Sequence, residues 1–243
     1  MQKIKIFLFV LIPVFFIIGL LIGTQLIPQK IQNIERIQSN INLENTKEMT
    51  LLGVTSEGRG MPVKMTVEVK PGNGLVLVNI DNVLADYLTQ LSARTAAKVA
   101  SNITRISLSN MDVIYNIKAN AEVVAGPSAG AAMTIATIAA IQNKDIDHNV
   151  LVTGGVDENG IITQVGNIKE KARAAKDINA TTFIIPQAAY NVGYEKTKSC
   201  KILDNLEYCQ IQFLPKEEDL SKALEINTLP IKTVEEAAKI VLK

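Results

Sequence analysis

Residues 6–27, IFLFVLIPVFFIIGLLIGTQLI, carry no charged side chain and are long enough as a helix to cross a bilayer core of about 30 Å. The pattern predicts a transmembrane anchor over residues 1–27. A cleaved secretory signal would want a shorter apolar region ending in small residues, and this stretch has no alanine. Ile27, Ile31, Ile34, Ile37 and Ile41 then recur at three- and four-residue steps among polar side chains, the mark of an amphipathic helix. Residues 28–49 are therefore expected to form a stalk or linker, with the body at 50–243. In the body, TLLGVTS and MPVKMTVEVK–PGNG–LVLVNI predict strands around a turn at Pro71–Gly74. A helix is expected from Asp81 to about Ile103, with Leu84, Leu88, Leu91 and Val99 on its apolar face and Thr95 the polar member of that row. DVIYNIKA, NVLVTGGV, TTFIIP and CQIQFL predict further strands; helices are expected after Pro127, over Ile168–Ile178, and in KEEDLSKAL and TVEEAAKIVL. The alternation is that of a mixed α/β (α+β) body without internal repeats or a second domain.

Composition changes this picture little. The formal net charge is +1, with acids and bases interspersed, so nothing suggests a nucleic-acid partner. Lys3 and Lys5 precede the apolar span and Lys30, Arg36 and Lys47 follow it, leaving the orientation nearly balanced. Cys200 and Cys209 could close a disulfide in an oxidising compartment or remain two thiols; spacing does not choose between them. The reading leans toward a body outside the cytoplasm, where sequons at Asn102 and Asn179 would become usable. No cofactor or metal site is expected.

The chemistry centres on VVAGPSAGAAMTIATIAAI, residues 123–141. Gly126 permits a tight approach and Pro127 suits a first helical position. Ser128 and Ala129 then fall in a first turn whose free N–H groups and dipole favour a developing anion. The plain alternative is a small polar residue at a closely packed helix start. The chain's single histidine, His148, lies in the polar loop KDIDHNV, which fits a solvated side chain better than a general base. A lysine can serve as base if burial lowers its pKa. On the helix NIKEKARAAKDIN, Ile168, Ala172, Ala175 and Ile178 share an apolar face. Lys171 lies about 45° from the centre of that face, and the other charged residues lie opposite. A lysine snorkelling at the face's edge is the alternative.

Together, GPSAG, VTGGV and VGNIKEK resemble the proteolytic domain of Lon proteases, peptidases built on a Ser-Lys dyad. The resemblance covers most of residues 50–190. It implies that Ser128 is the nucleophile, Lys171 the base, and Thr153 the residue that positions the lysine, with Gly126, Pro127 and Ala129 as support. It also implies polypeptide substrates and a homo-oligomer, with a hexamer as the expected number. Three positions depart from the usual pattern: Ala125 where many members carry an acid, Gly155 where many carry Glu, and Gly166-Asn167 in place of Gly-Gly. No GxxxxGK[ST] phosphate loop occurs, so the chain is not expected to hydrolyse ATP itself, although an ATPase partner could act in trans. The rival expectation is a membrane-anchored adaptor that keeps the fold without turnover.

Overall fold

The structure, a computed structural model, describes residues 45–79, 84–119, 123–187, 193–203, 206–216, 221–222 and 225–243. The chain divides into two units, 1–42 and 43–243, and the fold is that of the second. The expected anchor, and the stalk as far as residue 44, lie outside the described residues. Among the described residues, no helix is long and apolar enough to cross a membrane.

A four-stranded sheet carries the body, in the order β1 (Asn45–Val54), β2 (Gly60–Pro71), β5 (Met111–Lys118) and β3 (Val76–Asn79). β1, β2 and β5 run antiparallel, and β3 joins parallel to β5. Alternation sets the inward face: Val63, Met65, Val67 and Val69 of β2 are buried, as are Met111, Val113, Tyr115 and Ile117 of β5. Against this face lies α2 (Gly130–Gln142), in which every residue from Gly130 to Ile141 is buried. α1 (Tyr87–Thr104) and α4 (Val234–Val241) pack on the other sides of α2. An apolar helix with no polar face belongs at the centre of a core, and the small residues of GAAMTIATIAA let its neighbours approach closely.

A three-stranded parallel sheet follows, ordered β13 (Asn227–Ile231), β10 (Thr182–Pro186) and β7 (Val150–Val152). α3 (Ile168–Asp177) is covered by a second core cluster that includes Leu52, Leu151, Ile168, Ala172, Phe183 and Ile185. Two short pairs flank the serine segment. β4 (Leu84–Ala85) runs parallel to β6 (Val123–Val124), and β8 (Gly155–Val156) runs antiparallel to β9 (Ile162–Thr163). β11 (Gly193–Leu203) and β12 (Leu206–Lys216) form a hairpin in which Cys200 faces Cys209, and the two are joined as a disulfide.

The mixed α/β reading holds, with several shifts. β1 opens at Asn45, before the expected Thr50, because its residues 45–49 pair along β2. α1 begins at Tyr87 rather than Asp81, capped by the Asp86 side chain, which accepts from the Thr89 N–H at 2.7 Å. Of the apolar face expected for α1 only Val99 is buried; Leu84, Leu88 and Leu91 are exposed, and with Val99 the helix buries Thr89, Ser92, Ala93, Ala96, Ala97 and Ala100. Alanines allow α1 to lie close on the equally small face of α2, which outweighs the gain from burying longer side chains at a greater distance. α3 stops at Asp177, leaving Ile178 exposed. Most of the helix expected in KEEDLSKAL lies outside the described residues.

One buried polar pair tests the core. Thr137 Oγ1 on α2 donates to the Met133 carbonyl at 2.7 Å, so the Tyr115 hydroxyl, 2.7 Å away and fully buried, must be the donor to Thr137. Burial pushes the Tyr115 phenol well above its ordinary pKa. Thr137→Val strands that hydroxyl without an acceptor and should cost about 2 kcal/mol in denaturant unfolding, whereas Tyr115→Phe should cost about 1 kcal/mol or less. Equal costs would show that the hydroxyl finds another partner.

Candidate active site

Ser128 sits in a 3₁₀ turn, Pro127–Ala129, that leads directly into α2. Gly126 precedes it with φ 94° and ψ 165°, a conformation that side chains other than glycine rarely adopt. The turn is tied to the segment after β7 by two hydrogen bonds: Gly154 N–H donates to the Ser128 carbonyl, and Ala131 N–H donates to the Gly154 carbonyl, each at 3.0 Å. Thr153 is thereby fixed beside the serine turn. Its own N–H reaches the Ile184 carbonyl of β10 at 3.0 Å, and only 1% of the residue is exposed.

Lys171 is on the second turn of α3 and is 4% exposed. It shares a buried flank with Ala174, three residues on, and a close approach of backbones admits this flank. A Cβ on Gly60, at the start of β2, would lie 2.1 Å from the Glu170 carbonyl oxygen, so only glycine lets α3 seat there. The amine is directed at Thr153 Oγ1, 3.4 Å away. Burial lowers its pKa from 10.5 to about 8. Lys171 therefore has an appreciable neutral fraction near physiological pH.

Ser128 and Lys171 line one cleft of about 360 Å³, together with Gly53 and Val54 of β1 and Gln164 and Val165 after β9. They make no hydrogen bond to each other; a nucleophile and its base often close to hydrogen-bond distance only around substrate. Of the residues singled out from sequence, Gly126, Pro127, Ser128 and Lys171 border the cleft, Thr153 lies behind the lysine, and Ala129 is half-buried in the turn. His148 is exposed in the loop between α2 and β7 and is not part of the cleft. At Gly155, another of the departures, a Cβ would lie 2.4 Å from Thr163 Oγ1, so a side chain there would require the Thr163 hydroxyl to turn aside. Sequence reasoning missed Asp86, whose carboxylate accepts from Gly126 N–H at 3.2 Å across 40 positions of the chain. The only local signal was its place as a helix-capping aspartate.

A mixed α/β body that presents a first-turn serine and a buried, partly neutral lysine in one cleft has the layout of a serine hydrolase with a lysine base. Comparison with known proteins makes the class specific. Residues 32–216 match the Lon protease (S16) C-terminal proteolytic domain, and the chain belongs to that family of serine-type peptidase domains. The chain is 28% identical over 181 residues to the archaeal Lon protease of Thermoplasma volcanium, covering 71% of this chain and 26% of that protein. It is 29% identical over 135 residues to the Lon protease of Clostridium acetobutylicum (54% and 17%), and 31% over 140 residues to the archaeal Lon protease of Archaeoglobus fulgidus (56% and 22%). The chain thus spans about a quarter or less of the length of these curated relatives.

The burial of Lys171 predicts a pH-dependent stability. The unfolded amine holds its proton up to about 10.5 and the folded one only up to about 8, so between these values the unfolded chain binds more protons and stability rises with pH. Lys171→Met should stabilise the fold near neutral pH by about 2 kcal/mol, after allowing for the lost Thr153 contact, and the advantage should shrink steadily from pH 8 to 10.5. Denaturant unfolding of both proteins across that range checks it; a pH-independent difference would show that the amine is not titrating in the fold.

Proposed function

We propose that this chain is a membrane-anchored endopeptidase that hydrolyses peptide bonds in unfolded proteins or peptides, with Ser128 as nucleophile and Lys171 as base. The observation that carries this reading is the buried Lys171 amine, held partly neutral in the same cleft as Ser128. Neutral Lys171 removes the Ser128 Oγ proton as the oxygen attacks the substrate carbonyl, and backbone N–H groups at the head of α2 receive the oxyanion. The ammonium formed then protonates the leaving amine. In the second half, Lys171 takes a proton from the water that attacks the acyl-enzyme, and Ser128 is regenerated. Thr153 holds the amine in place throughout.

The apolar run at residues 6–27 supports the single-pass membrane anchor, and the leaning toward a body outside the cytoplasm remains part of this proposal. A homo-oligomer, of the hexameric kind that the resemblance implies, is proposed with it. The outward stripe of Leu84, Tyr87, Leu88 and Leu91 offers apolar surface for subunit contact. Turnover of already unfolded chains needs no ATP in this scheme, and an ATPase acting in trans would extend it to folded substrates.

The test is cleavage of casein by the full chain without ATP. Ser128→Ala and Lys171→Ala should each lower the rate by more than about 100-fold while circular dichroism stays native. The wild-type rate should rise about tenfold per pH unit below pH 8 and level off above it. No cleavage by a folded, assembled wild type would favour the silent adaptor, the reading that the departures at Ala125 and Gly155 motivate. A profile that levels well below pH 8 would remove Lys171 from the role of base.

A further inference from the structure

Asp86 does more than cap α1. An N-cap needs one oxygen, and Asp86 Oδ1 meets that need by accepting from Thr89 N–H at 2.7 Å. Its second oxygen, Oδ2, accepts from Gly126 N–H at 3.2 Å, two residues before Ser128. The carbonyl of the same glycine accepts the Thr89 hydroxyl at 3.4 Å. Both polar groups of Gly126 are therefore gripped by the first turn of one helix.

No steric contact at the Cβ position fixes this glycine. A Cβ built on it would meet no atom within 4 Å, so packing does not select its φ of 94°. A free glycine samples both signs of φ at little cost. Pro127 holds its own φ, so any rotation at Gly126 swings Pro127 and Ser128 together. The clamp also continues a longer zipper: Leu84 pairs with Val123 and Ala85 with Val124, and the next step on each chain leads to Asp86 and the Ala125-Gly126 turn. Burial tends to raise the Asp86 pKa, and the hydrogen bonds from Thr89 and Gly126 more than offset that, leaving the carboxyl below its ordinary value and ionised at neutral pH.

We infer that Asp86 is a positioning residue for the reaction: by holding the Gly126 peptide it aims the Ser128 turn at the cleft. The carboxylate that steadies the serine turn thus comes from α1, on a chain whose residue 125, next to Gly126, is alanine. The inference rests on Ser128 being the nucleophile. A misplacement of about 1 Å at a nucleophile can cost around 100-fold in rate, so a loosened turn should be felt in kcat.

Asp86→Ser keeps a capping oxygen for Thr89 N–H but is too short to reach Gly126. Asp86→Asn also caps, and sets an amide that can only donate where Oδ2 accepted. In the full chain, each should lower kcat for a casein-derived peptide by about 10- to 100-fold with KM within about twofold, and slow fluorophosphonate labelling of Ser128 by a similar factor. Hydrogen–deuterium exchange should quicken in the segment 123–129, while α1 keeps its protection. Unchanged kcat and exchange in both variants would overturn the inference, as would a kcat loss that comes with loss of α1 protection. The exchange measurement needs no turnover, so it decides on the clamp even if the wild type neither cleaves nor labels, an outcome that would instead sink the peptidase reading.

Discussion

The arrangement turns on keeping a lysine amine out of water. An ammonium buried without a partner costs several kcal/mol, and a protein meets that cost either by pairing the charge or by letting the proton go. No carboxylate pairs with Lys171 among the described residues; its neighbour is the Thr153 hydroxyl, and its pKa falls accordingly. The energy that holds it there comes from the second core cluster. Ile168, Ala172 and Ala175 on the same helix are packed against Leu52, Leu151 and Phe183, so α3 cannot roll to expose the amine without exposing them. Gly60 completes the seat by admitting the backbone of α3.

The serine is held by a different route. α2 is the most buried helix of the body, and a segment surrounded by the sheet, α1 and α4 has little freedom to move. Its head is fastened to residue 154 by reciprocal backbone bonds, and residue 153 is the lysine's partner. Ser128 and Lys171 therefore share a common reference, the end of β7, although 43 residues, 128 to 171, separate them in sequence. What remains adjustable is the short approach to the serine, residues 125 to 127, which has an open glycine and two exposed residues.

Much of this was legible in the sequence, because it depends on local periodicity. Residue type and alternation marked β2 and β5 as strands, and the helical spacing of IKEKARAAKD marked Lys171 as the charged residue turned toward the interior. The glycine-proline-serine turn announced itself by residue type. The errors came from long-range effects. In α1 the ordinary ranking of leucine over alanine pointed the wrong way, since close packing between two alanine-rich helices needs small side chains and leaves Leu88 and Leu91 outside. β11, with its run of lysines and polar residues, gains its order from the partner strand and the disulfide rather than from burial. The bond between Asp86 and Gly126 joins two distant segments and has no counterpart in local pattern.

The departures from the usual Lon pattern are also of two kinds. Gly155 is a matter of local fit, because a Cβ there would meet Thr163 Oγ1 at 2.4 Å and that hydroxyl would have to turn aside. Ala125 is exposed and has room around it, so sterics do not account for the missing acid. A carboxylate at that position would sit on the serine turn itself, where it could move as the turn moved. Asp86 is held by α1 and touches the turn from outside, through hydrogen bonds that leave its charge on the helix cap. The serine turn here is therefore steadied by a fixed anion on a neighbouring helix. A scaffold without turnover would draw nothing from such a clamp, nor from a lysine whose burial lowers stability at neutral pH, and a methionine at 171 would serve it better.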